Sequence, residues 1–177
     1  MSIEKDVKRY AARLNSYKNR DVRQAAATAL NKTAAKAKTR TIRGVSKSAK
    51  LPAKMIRPKV YITKAKVGRI RAALKVYRDD AILSSKYLKL KQSARKKKGG
   101  GVRVGKRFIK GAFIVKDKFV FKRKGAARLP IEIQRVPLSK IMDSVAITAS
   151  KRVIKRDFKR LMLHELKFRL AKHTAGK

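Results

Sequence analysis

Apolar residues recur at helical intervals from the start of the chain. Ile3, Val7, Tyr10, Ala11, Leu14 and Tyr17 lie three or four residues apart, the spacing that collects side chains on one face of an amphipathic helix over residues 3–18. Asp21 is placed to cap a second helix, because its carboxylate accepts from free first-turn amides and opposes the positive end of the helix dipole. From Val22 to Lys47 a second stripe follows: Val22, Ala25, Ala26, Ala29, Leu30, Thr33, Ala37 and Ile42, mostly small residues that permit close packing. Gly44 and Ser46 are expected to loosen its far end. Leu51-Pro52 opens a short helical turn, with proline at the first helical position and Pro58 as the stop.

At Lys59 the period changes from that of a helix to that of a strand. Val60 and Ile62, then Ile70, Ala72, Leu74 and Val76, alternate with basic residues around Gly68, which predicts a hairpin with one buried face. Ala94 to Gly105 is a lysine run followed by glycines, expected as a solvated loop inside the sheet region. Arg107-Phe108-Ile109, Ala112 to Val115 and Phe119-Val120-Phe121 read as paired strands, the last two joined tightly by Lys116-Asp117-Lys118. Beyond Pro137 a helical pattern runs from Leu138 to about Lys172, with Ile141, Val145, Ala149, Ile154, Phe158, Leu161 and Met162 as its stripe. The expected fold class is α+β: N-terminal helices, an antiparallel β-sheet with hairpins and a basic Gly-rich loop, and a long C-terminal helix. The expected organisation is a single domain over 1–177, with an N-terminal helix to residue 20, a core helix plus sheet over 21–137, and a C-terminal helix and tail over 138–177.

Charge changes this picture most. The 177 residues include 52 Lys+Arg against 10 Asp+Glu, a formal net charge of +42, which raises the free energy of an isolated compact monomer through self-repulsion. No acidic residue occurs from Val22 to Arg78, nor from Ala81 to Lys116, so the positive surface covers helical and β regions alike. Internal ion pairing is insufficient across such stretches, and a polyanionic or acidic partner is expected. The apolar share of 44% suits a folded core. With no cysteine, disulfides, thiolate nucleophiles and cysteine-bound zinc are excluded. No run approaches the ~20 apolar residues that span a bilayer. The start Met1-Ser2-Ile3-Glu4-Lys5-Asp6 lacks the apolar stretch of a secretory signal, so a cytoplasmic protein with no membrane partner is expected.

Two motifs approach catalytic patterns and then depart from them. Gly100 to Lys106 has the spacing of a phosphate loop, but Arg107 stands where a hydroxyl should meet magnesium and a strand follows instead of a helix. His164-Glu165 begins a zinc-protease helix motif, but Phe168 occupies the place of the second histidine. Asp79-Asp80 are neighbours in a turn, where capping roles prevail over acid/base work. A non-enzymatic protein without cofactor or metal is expected. The expected contacts to DNA or to an acidic partner are Arg95, Lys96, Lys97, Lys98, Arg103, Lys106 and Arg107, in and after the loop, with Lys122, Arg123 and Lys124 at the end of the last hairpin. Phe108, Phe113, Phe119 and Phe121 offer stacking faces in principle, but strand aromatics more often fill a core, and that is the expectation.

Three stretches, in order, resemble the phage minor tail protein Z family over about residues 20–140. They are Arg23 to Ala34 continued by Thr39-Arg40; Leu51-Pro52-Ala53-Lys54-Met55-Ile56-Arg57 followed by basic strands; and Gly111 to Ile114, then Val120 to Gly125 and Arg128-Leu129-Pro130-Ile131. The resemblance implies a tail completion or neck component of a long-tailed phage, located in the virion and assembled in the host bacterial cytoplasm. It also implies several copies forming a ring, a hexamer, at the head-proximal end of the tail. Adjacent tail-tube and neck or head-completion proteins, and the end of the double-stranded DNA genome, would be its neighbours. The alternative is a sequence-nonspecific nucleic-acid-binding protein, which the charge alone would suit equally.

Overall fold

The computed structural model describes residues 3–93, 100–105 and 107–175. Helix α1 (Ile3–Ala49) is followed by a short α2 (Ala53–Ile56) and a 3₁₀ turn (Arg57–Lys59). Ten short strands come next: β1 (Val60–Thr63), β2 (Ala73–Val76), β3 (Ala81–Ile82), β4 (Leu90–Ser93), β5 (Gly101–Val104), β6 (Arg107–Lys110), β7 (Ala112–Val115), β8 (Phe119–Arg123), β9 (Ile131–Ile133) and β10 (Arg135–Val136). Helix α3 (Ser139–Val153), a π turn (Ile154–Phe158) and α4 (Lys159–Ala175) complete the order. The α+β class holds. The sheet is divided into small ladders, β1-β2, β10-β3, β4-β5-β6 and β7-β8-β9. Every ladder with a defined register is antiparallel. The residues form two compact units, Met1–Thr39 with Tyr61–Lys75 and Thr148–Lys177, and Arg40–Val60 with Val76–Ile147.

In place of two N-terminal helices, α1 is continuous. Nothing between Asn15 and Asp21 is a glycine or proline, and extending an existing helix avoids the cost of a second nucleation, so the capping potential of Asp21 goes unused. In the first unit α1 buries Ala25, Ala29, Thr33 and Ala37, four residues apart. The contacts Gln24 with Arg169, Lys32 with Glu165 and Lys36 with Asp157 run in opposite chain directions, so α1 and α4 are antiparallel there. Asn31 ties the strand-rich segment to α1: its amide donates to the Ala65 carbonyl at 3.0 Å and its carbonyl accepts from the Ala65 amide at 2.8 Å.

The second unit has its core in Ile42, Val45, Leu51, Ile56 and Val60, joined by Leu83, Val102, Val104, Val120, Leu138 and Met142. Gly44 does not loosen the helix. A Cβ there would sit 2.6 Å from Val145 Cγ1, so its lack of a side chain lets α1 and α3 approach closely. Helix α1 ends in a Schellman motif, with the Lys50 amide donating to Lys47 O and the Leu51 amide to Ser46 O. Lys50 takes the left-handed position that glycine usually fills, with φ 50°. Pro52 precedes α2 instead of starting it, and the turn passes through Pro58 as the 3₁₀ segment. The β7-β8 hairpin turns at Lys116 and Asp117, φ 49° and 52°, the paired left-handed residues of a type I′ turn.

The C-terminal stripe differs from the expected one. Ile154 is exposed, whereas Val153, Asp157 and Glu165 are buried. The π turn at Ile154–Phe158 absorbs an additional residue and resets which face of the helix looks inward.

Candidate functional site

Few carboxylates are available, and their positions decide which cations stay free. In the first unit the two that are buried among the described residues, Asp157 and Glu165, are taken by α1: Lys36 Nζ lies 3.0 Å from Asp157 Oδ1, and Lys32 pairs with Glu165. Arg160 adds a contact of 3.3 Å to Asp157. Glu165, which the zinc-protease motif would have made a general base, is thus a structural ion-pair partner. In the second unit Arg78 Nε reaches Asp143 at 3.0 Å, Lys59 reaches Asp79 at 3.8 Å, and Lys124 reaches Glu132 at 2.7 Å.

Of the ten expected contact residues, Arg95, Lys96, Lys97, Lys98 and Lys106 lie outside the described residues. Arg103 is exposed on β5, and no carboxylate partner is recorded for it among the described residues. Lys122 and Arg123 are exposed at the end of β8, and Arg123 sits 5.9 Å from the centre of the Phe113 ring. Lys124 is less available: the hydrogen bond to Glu132, helped by its charge, raises the lysine pKa above its ordinary 10.5. Arg107 is half-buried, and its Nη2 donates to the Ala49 carbonyl at 2.6 Å. Gly101–Val104 and Arg107–Lys110 are paired strands, so no helix follows where a phosphate loop requires one.

Register brings together residues that the sequence reading left apart. On the β4-β5-β6 ladder Lys91 faces Arg103, which faces Phe108, and Lys110 lies opposite Gly101. Lys91, Arg103 and Lys110 are exposed. Phe108, 51% exposed, leans over Gly101, where a Cβ would meet Phe108 Cζ at 2.7 Å. An aromatic ring set among three cations is the composition of a polyanion-contacting sheet face. The expectation that the strand aromatics fill the core fails here. Phe108 and Phe119 are exposed, and Phe113 and Phe121, ring centres 6.5 Å apart, are only half-buried. Aliphatic side chains such as Val102, Val104 and Val120 fill the core instead. Lys91 and Lys110 carry no motif, and only the strand register identifies them.

A second feature has no local sequence signal. Lys50, Arg107 and Arg135 converge, with Leu83, Ile109 and Val136, on an open cavity of about 510 Å³. No helix among the described residues is long and apolar enough to cross a membrane.

Comparison with known proteins extends the resemblance at both ends. Residues 5–175 match the family described as prophage minor tail protein Z. A tail completion protein of Escherichia phage N15 is 33% identical over 135 residues, covering 71% of this chain and 73% of that protein. No solved structure matches.

Proposed function

The chain belongs to the prophage minor tail protein Z family and is a structural protein of a phage tail; from that premise we propose that it completes the tail at its head-proximal end. Copies assemble there into a ring, a hexamer, that contacts adjacent tail-tube and neck or head-completion proteins. The ring supports head-tail joining and placement of the end of the double-stranded DNA genome, in a virion assembled in the host bacterial cytoplasm. Catalysis has no part in this role.

The observation that carries the reading is the family match across nearly the whole chain. The charge distribution agrees with it physically: folded strands present Arg103, Lys122 and Arg123 with no recorded carboxylate partner among the described residues, as a surface awaiting acidic proteins or DNA should. Quantitative mass spectrometry of purified virions tests the role. A small fixed copy number per particle is expected, and absence from mature particles refutes it.

The face formed by Lys91, Arg103, Phe108 and Lys110 favours a second reading, a free sequence-nonspecific nucleic-acid binder. That reading requires the protein to hold duplex DNA with a steep loss of affinity as salt rises, and to be missing from virions.

A further inference from the structure

Within the second unit the cavity bounded by Lys50, Arg107 and Arg135 lies along two open strand edges. β6 is the terminal strand of β4-β5-β6, and β10 is terminal in its ladder with β3. Alternate amides and carbonyls of such edges turn away from the paired neighbour and are free to bond an added strand. The apolar part of the lining is suited to side chains at every second position: Leu83 and Val136 are buried and Ile109 half-buried.

The polar lining is of one sign. Among the described residues Lys50, Arg107 and Arg135 contribute three cations to the lining, and no carboxylate joins them. Arg107 spends Nη2 on Ala49 O, while its buried Nε has no hydrogen-bond partner. A buried donor in that state is costly, and a ligand oxygen relieves it. Lys50 holds a left-handed backbone conformation that favours glycine, so a charge is kept at the rim where an uncharged residue would be less strained.

We propose that this groove takes an extended, acidic, alternately apolar segment of a neighbouring tail or neck protein as an added β-strand. The proposal deepens the tail-assembly reading by naming the chemistry of one partner. Duplex DNA fits the cations but has no use for strand edges or an apolar floor. A second copy of this chain is disfavoured by charge, since each carries +42.

The test uses the full chain and a blocked eight-residue peptide of alternating glutamate and valine, with hydrogen exchange as the readout. Protection confined to β6 and β10 is expected. A Lys50→Asn/Arg135→Gln variant, which alters exposed side chains and eases the backbone at residue 50, should weaken the peptide at least about tenfold while unfolding at a temperature no lower than the parent. Lys151→Gln, an exposed cation on α3 that is not part of the lining, should leave affinity within about twofold. Protection spread evenly over the basic surface, an unchanged affinity in the double variant, or stronger protection of β6 by duplex DNA than by the peptide overturns the proposal. Each of these results leaves the tail role standing, because virion composition tests that separately.

Discussion

At Gly44 two residue-level effects have opposite signs, so a single substitution decides between them. In a free helix alanine is favoured over glycine by about 1 kcal/mol. Here the added Cβ would lie 2.6 Å from Val145 Cγ1, and overpacking of that kind costs about 1–3 kcal/mol. Gly44→Ala is therefore expected to lower the thermal midpoint, and Gly44→Ala/Val145→Ala to recover part of the loss by making room. A rise in the single variant would mean that the helices separate at little cost. The sequence marked Gly44 as unusual but pointed to the wrong consequence, because its partner lies about a hundred residues away and no local pattern registers it. The same limit hid the groove. Lys50, Arg107 and Arg135 are ordinary surface cations until the strands bring them together.

At the scale of elements, the C-terminal helix shows what periodicity conveys and where it stops. Its existence and span were legible from the apolar pattern, and so were the hairpins around Gly68 and Lys116-Asp117, where turn chemistry is local. The inward face was not: Val153 continues the helical step of four from Ala149, whereas the five-residue step to Ile154 turns the stripe away by about 140°, and beyond it the π turn carries burial to Asp157 and Glu165. On an uninterrupted α-helix the twelve-residue step from Val153 to Glu165 would turn them about 120° apart; with one residue absorbed by the π turn the difference is about 20°. Deleting exposed Lys155 should therefore regularise the helix and keep Glu165 opposite Lys32. Inserting an alanine after Arg160 should rotate Glu165 away by about 100°. Circular-dichroism melts should show the insertion destabilised comparably with Lys32→Ala, which leaves the buried Glu165 carboxylate without its cation and is expected to cost about 3–5 kcal/mol, and the deletion far less. Equal damage from both would show that the π turn does more than set the face.

At the scale of the molecule, the excess of +42 acts on stability and assembly together. The pairs Lys32–Glu165 and Lys36–Asp157 engage buried carboxylates, which salt screens weakly, whereas most cations repel one another across water, where screening is strong. Raising salt therefore removes more repulsion than attraction. Between low and near-physiological ionic strength the screening length falls from ~30 Å at 0.01 M to ~8 Å at 0.15 M. The thermal midpoint is expected to rise by at least about 2–4 °C over that interval, which corresponds to about 1 kcal/mol for a chain of this size. A fall would mean that internal ion pairs already balance the excess. In the proposed ring the repulsion also acts between subunits, so the same increase in salt, or an acidic tail partner added at low salt, should shift light-scattering mass from monomer toward oligomer. Oligomers that form at low salt without any anion would remove electrostatic repulsion as the restraint on assembly and leave shape complementarity to account for when the tail is completed.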